Sequence, residues 1–530
     1  MRTVSNRIWT YIGGVNGLLL ILYSVFVFSS GLILYKQISF AVFVIGVLLI
    51  TALSILLCPK LLHFLSGMCI TVRDQHPINK VHIIKRILIG VLFFSIPFVV
   101  FLIYYLAYYP GGYDTDCINQ YYQMYYNDYN DWHPVIQTLL TYKLPFVISR
   151  GWVGSIVLFQ ILFFSSVLGY SFNILRKYTN TVFSLVSMML VLLNPQIGNM
   201  VMFPFKDIFF SGCCLLLLTF SFEVCFSKGL WMKKTRNIFI YVLAASLATL
   251  SRHNALLFTI PLILATFLYI SKKRVIAIAL CVVLLCLFIK YPFYSTIGIK
   301  NPDNRLVEVT GVPMTIIGAA ITYTPDAVDD ETKEFAYAFS PKEVWDEKYY
   351  YGGYNAVKWD DRTNVKVVEE YGIINVISMM LRCINVSPKE TLISFLKLTD
   401  SSYTLTDKYY SLVEPYVYPN VYNIQQQGNE SIRTVLKCYG SFAAKFFPHL
   451  FMFLGSMHYL LIASVLSKFK LNCLKNWRII LFVIPVFLYN YITTLLLSTY
   501  YDAMRFFLYT FILMPILLAF LFGKTEYSKS

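Results

Sequence analysis

Residues 109–134 read YPGGYDTDCINQYYQMYYNDYNDWHP. Asp114, Asp116, Asp128 and Asp131 stand there without a Lys or Arg, between apolar stretches long enough to cross a bilayer. Carboxylates at a membrane edge are costly unless they face water and have a task. Two chemistries use an Asp-x-Asp pair such as Asp114 and Asp116. One carboxylate can take the proton of an attacking hydroxyl, or the pair can hold a divalent ion, Mg or Mn, that screens a phosphate leaving group. A solvated polar loop is the plain alternative. The preceding Pro110-Gly111-Gly112 makes a tight turn directly after an apolar stretch, which fixes the carboxylates near the bilayer surface and favours a function for them.

Further groups fall at comparable positions. Gln120 and His133 could hydrogen-bond an acceptor or a phosphate, with Trp132 beside them as an interfacial anchor. Lys206-Asp207 follows Phe203-Pro204-Phe205 and the break Asn194-Pro195; Lys206 could pair with Asp207, snorkel or meet a lipid phosphate. Arg252-His253-Asn254 puts charge inside apolar sequence, where it faces a polar cavity or a partner. The partner is an anionic phosphate or, structurally, an Asp; the phosphate reading makes Arg252→Ala weaken donor use more than protein yield. Arg505, after Tyr501-Asp502, suits phosphate through its forked donors, or pairs locally with Asp502.

The elements that must position these groups are membrane helices. Of 530 residues, 57% are hydrophobic and only 14% charged, with a mean hydropathy of +0.61; soluble chains carry about 25% charged residues. Apolar blocks of bilayer-crossing length fall at 9–29, 38–58, 86–108, 152–175, 181–202, 207–227, 237–253, 254–271, 275–297, 444–467, 478–499 and 505–523. The sequence therefore predicts an all-α polytopic membrane protein of about twelve transmembrane helices, with an acidic first large outer loop and a mostly helical outer segment between spans 9 and 10. The pair 237–253 and 254–271 has almost no loop between its members.

The net charge of +16 is not a nucleic-acid stripe. Lys60 to Arg86, Arg176-Lys177, Lys228 to Arg236, Lys272 to Arg274 and Lys468 to Arg478 all fall on one side of a single alternation, the positive-inside pattern. The Asp-rich loop and segment 298–443 fall on the other. This predicts a multi-pass plasma (inner) membrane protein with cytoplasmic termini and an extracytoplasmic site. Its parts are a membrane domain, 1–297, with outer loop 109–151; an outer segment, 298–443; and C-terminal transmembrane helices, 444–530.

Residues 135–148 are too short for a span and fit an interfacial helix. Helical stretches fall near 308–321 and 365–384. Ser387-Pro388-Lys389-Glu390 reads as a helix start with a capping box, and the apolar face of that helix could pack on the membrane domain. The eleven Cys show no metal-ligand spacing, and one pair among Cys117, Cys383 and Cys438 could bridge.

Tyr109-Pro110-Gly111, Asp116 through Gln120, Asp131-Trp132-His133-Pro134, Pro204-Phe205-Lys206-Asp207, Arg252-His253-Asn254 and Asp502 through Arg505 together resemble the GT-C superfamily of integral-membrane glycosyltransferases, and more narrowly a bacterial membrane-protein group related to it. The resemblance implies transfer of a sugar from a polyprenyl-phosphate or polyprenyl-diphosphate donor to a cell-envelope glycan or glycopolymer. Asp116, or Asp114, would be the base, and Gln120, His133, Lys206, Arg252, His253 and Arg505 would bind substrate. The absence of Walker and Rossmann loops agrees with a donor that is not a nucleotide sugar. The chain lacks the adjacent acidic residues of protein mannosyltransferases in this loop and the Trp-Trp-Asp signature of oligosaccharyltransferases. A transporter or flippase for an envelope lipid, a polymerase of lipid-linked repeat units and a non-catalytic assembly or sensor protein are the other readings.

Overall fold

A computed structural model describes residues 70–73, 83–300, 305–351, 353–398, 413–443, 481–486, 488–489 and 503–526. The central helix is Lys206–Phe226, whose apolar window is 94% buried. Gly154–Tyr178, Thr235–Ser251 and Ala503–Phe522 pack around it. Two long apolar helices lie at the periphery. The windows of Ile84–Tyr108 and Lys272–Thr296 are only 22% and 17% buried, and they expose Ile87, Leu88, Val91, Leu280 and Leu284. A helix satisfies its own backbone, so such faces suit hydrocarbon.

Among the described residues four helices are long and apolar enough to cross a membrane, or five with a bent pair counted as one. That pair falls on the span expected at 181–202, which is bent rather than straight. The chain breaks between Thr181–Leu192 and Pro195–Val201 with a bend of 67°. Asn194 caps the second helix through the Gln196 amide, and Pro195 starts it, which stops the first from continuing. The expected spans 237–253 and 254–271 become the helices Thr235–Ser251 and Leu256–Ala265, both below crossing length by the same measure. They nevertheless join the two ends of the bundle. Arg252 meets Asp207 at one end, while Gly229 lies against the Tyr269 carbonyl at the other. The expected spans 9–29, 38–58 and 444–467, and most of 478–499, lie outside the described residues. One short parallel pairing joins Ile70–Arg73 to Gly523–Glu526.

Residues 135–148 form one helix with a π turn at Leu139–Lys143. Val135, Gln137, Thr138, Thr141 and Tyr142 are buried, while Leu144, Val147 and Ile148 are exposed. Such an amphipathic helix suits an interface plane.

The segment from Arg305 to Leu398 has its own core. Gly311–Tyr323 runs through it, surrounded by Phe335, Phe339, Trp345, Val376 and Met379. The helix expected after Ser387 begins at Pro388. Its buried face, Thr391, Ser394 and Leu398, packs on Gly311–Tyr323 rather than on the membrane helices; Ser394 Oγ donates to the Thr315 carbonyl at 3.3 Å. Glu390 accepts from the Tyr351 hydroxyl, and Ser387 Oγ pairs with Thr324 Oγ1 at 2.6 Å.

Arg362 and Lys348 hold the Asp360 carboxyl well below the usual carboxylate range. A lowered folded pKa stabilises above the unfolded value of 3.8 and is lost as pH falls through the folded value. Acidification below about pH 4 should therefore lower the melting temperature of this segment. Asp360→Asn should flatten that acid limb in a pH series of thermal scans.

Cys117, Cys383 and Cys438 are all free thiols, so the possible bridge among them does not form.

Candidate functional site

The first loop begins with a turn only glycine permits. Gly111 has φ +130°, and a Cβ there would run into Val157 and the Met202 carbonyl. Gly112 N donates to that carbonyl at 2.9 Å, which ties the loop to the Phe203–Lys206 stretch. Tyr113 is locked in turn: its N–H donates to Tyr416 O at 2.8 Å and its carbonyl accepts from Tyr418 N at 2.7 Å. Segment 413–429 thus lies along the loop, with Gln427 N donating to Tyr109 O and Asn429 N to Leu106 O.

Asp114 is the N-cap of the helix Thr115–Tyr126 and accepts from Cys117 N at 2.8 Å. Asp116 sits half-buried in the first turn of that helix, where the helix dipole favours a carboxylate. Gln120 is buried within an internal network. Its Nε2 donates to Gln137 Oε1 and to Thr138 Oγ1 at 2.8 Å, and its Oε1 accepts from Tyr142 OH at 3.5 Å. Tyr142 OH also donates to Pro204 O at 3.0 Å. The Asp-bearing helix and the Lys206–Phe226 helix start therefore share one platform, Met202 to Lys206.

Cations gather in a second group of contacts. Lys206 Nζ lies 3.1 Å from His133 Nδ1. An ammonium can only donate, so Nδ1 accepts and the imidazole proton sits on Nε2. Asp207 pairs with Arg252 Nη1 at 2.9 Å, with both side chains buried. The guanidinium lies over the Phe210 ring at 5.7 Å and hydrogen-bonds Tyr489, whose hydroxyl donates to Asn254 Oδ1 at 3.1 Å. This is the ion pair with an Asp that the sequence offered as the structural alternative for Arg252. Lys290 bridges Asp131 Oδ2 at 3.3 Å and His253 Nδ1 at 3.4 Å.

These pairs are linked along the chain: Lys206 adjoins Asp207, Arg252 adjoins His253, and Asp131 and His133 share one turn. His133, Lys206, Arg252 and His253 are thus brought into one polar strip at one end of the bundle. Arg505 lies in Ala503–Phe522, but its side chain is outside the described residues. Lys290 was missed from sequence. The signal was present, since it is a charge inside the apolar block 275–297, as Arg252 is in its own.

Among the described residues no group of three or more His, Cys, Asp or Glu side chains is placed to hold a metal ion.

Residues 126–339 match a family model. Its description is "Family of unknown function (DUF6020)". No curated protein and no solved structure matches the chain. The matched stretch takes in Asp131, His133, Lys206, Asp207, Arg252, His253 and Lys290, and begins after Asp114, Asp116 and Gln120.

Proposed function

We propose that the chain is a membrane glycosyltransferase of the GT-C type, moving a sugar from a polyprenyl-phosphate-linked donor to a cell-envelope acceptor. The observation that carries this reading is the convergence of four separately encoded stretches, 128–134, 206–207, 252–253 and 290, into one strip of cations, imidazoles and carboxylates at the ends of apolar helices. Lys206, with the Nε2–H of His133 beside it, is suited to steady a departing lipid phosphate. Asp116, in the first turn of the Thr115–Tyr126 helix, is the base for the acceptor hydroxyl, with Asp114 as the alternative. In the twelve-span arrangement this end of the bundle is extracytoplasmic and the basic loops are cytoplasmic. The charges cluster at one end and show no paired halves, which favours an enzyme over a transporter.

The test is turnover. Purified full-length protein in nanodiscs is supplied with polyprenyl-phosphate sugars, and release or transfer of the sugar is followed by mass spectrometry. Absence of turnover with every such donor, for protein that is folded and monodisperse, removes the proposal.

The sidedness has its own test. Cys438 is exposed; Cys117 is fully buried, and burial pushes its thiol well above the usual range. Only a thiolate reacts. A membrane-impermeant maleimide added to intact cells should modify Cys438, whereas Cys117 should react only after denaturation. Cys438 modified solely in opened cells would reverse the orientation.

A further inference from the structure

Two buried polar atoms near Lys290, Asp131 Oδ1 and the Tyr129 hydroxyl, have no protein hydrogen-bond partner among the described residues, and the Tyr294 hydroxyl beside them meets the Val135 and Ile136 amides. The three residues are 8%, 6% and 6% exposed. Native proteins leave few buried polar atoms unsatisfied, and each calls for a cause. Here both share one patch with Tyr294. Tyr129 and Tyr294 belong to a single apolar cluster with Val135, walled by Ile136, Ile289 and Phe293. Asp131 acts electrostatically on Tyr294. The main chain holds the patch together. Lys300 N donates to Tyr129 O at 3.0 Å and Asp131 N to Lys300 O at 3.1 Å, so the loop is pinned to the end of the Lys272–Thr296 helix.

The charges select the ligand. Asp131 Oδ2 is already neutralised by Lys290, and His253 accepts from the same ammonium. A cation would meet Lys290 at once, and an anion would meet the remaining Asp131 oxygen. A neutral group that both donates and accepts fits: its hydroxyl donates to Asp131 Oδ1 while its oxygens accept from the tyrosines. The apolar walls suit the C–H faces of the same group. We propose that Tyr129, Asp131 and Tyr294 form a binding site for a neutral polyhydroxylated ligand, a sugar or polyol unit, between loop 127–134 and the end of the Lys272–Thr296 helix. The site rests on this patch alone and holds whether or not the chain transfers sugars.

The test is binding, read without turnover. Full-length protein in nanodiscs is titrated with glycerol and with the methyl glycosides of glucose, mannose and galactose, followed by saturation-transfer NMR and by tryptophan fluorescence, Trp132 being next to Asp131. At least one probe should bind saturably in the millimolar range. Tyr129→Phe should weaken it about threefold to tenfold, the loss of one neutral hydrogen bond, and Asp131→Asn by more. Tyr129→Phe removes a hydroxyl with no protein partner, so its melting temperature without probe should equal or exceed that of the parent. This keeps the test decisive if Asp131→Asn folds poorly. No saturable binding by any probe, or equal affinity in the parent and Tyr129→Phe, overturns the proposal and leaves buried water as the occupant.

Discussion

Asp116→Asn is expected to lower sugar transfer by about 100- to 10,000-fold, the usual range for loss of a positioned general base. Asp114→Asn is expected to keep most of the activity. The difference follows from what each carboxylate does. Asp114 caps the Thr115–Tyr126 helix through the Cys117 amide, and Asn caps a helix about as well as Asp. Asp114→Ala, which cannot cap, should cost roughly 0.5–2 kcal/mol of stability. Asp116 lies in the first turn, and Asn in its place keeps the shape but cannot take a proton. The comparison uses initial rates per folded molecule with one polyprenyl-phosphate sugar, together with the apparent donor affinity. A drop in rate at unchanged donor affinity marks a base. Full rates in both Asn variants would falsify the assignment of the base to this pair. If Asp131→Asn were then inactive, the base would move to the carboxylate beside Lys290.

The sequence shows the elements more readily than their partners. Apolar stretches give Ile83–Tyr108, Gly154–Tyr178 and Lys206–Phe226 within a few residues, because bilayer length and helix rise leave little freedom. The turn at Gly111 is legible because Pro and Gly limit the backbone locally. The break at Asn194-Pro195 carries a cap and a helix-starting proline, yet the apolar window runs straight through it, so window averaging hides the 67° bend. Long-range pairings are a different matter. Lys290 with Asp131, Arg252 with Asp207 and Tyr113 with Tyr416 join residues far apart in the chain, and periodicity carries no information on which helix ends meet. The helix Pro388–Leu398 shows the same division. Its start was readable from Ser387-Pro388, but its apolar face suggested the membrane domain as host, whereas packing sets it on Gly311–Tyr323. Gln120 illustrates a further gap: its residue type suited a ligand, but the neighbouring helix supplied Gln137 and Thr138 to satisfy it first.

Arg252→Ala and Asp207→Asn are each expected to destabilise the fold by about 3–5 kcal/mol, because either change leaves a buried charge or buried donors without a partner. The pair is at 2.9 Å with side chains only 7% and 1% exposed. The double variant Arg252→Met/Asp207→Leu should recover most of the loss, since replacing both members of a buried pair with apolar groups of similar volume is often neutral. Arg252→Lys should recover less: an ammonium keeps the charge but loses the planar fork that reaches Asp207 and Tyr489 while lying over Phe210. The geometry thus changes the expectation for Arg252→Ala from weak donor use to low folded yield. Thermal unfolding of the purified variants, read beside donor affinity, separates the two roles. A stable Arg252→Ala protein with tenfold poorer donor affinity would make the guanidinium a phosphate ligand. An unstable Arg252→Ala rescued by Asp207→Leu would make the pair a clamp fixing the level of Lys206 and His253 on neighbouring helix ends, so that their approach to any donor depends on a contact the donor never touches.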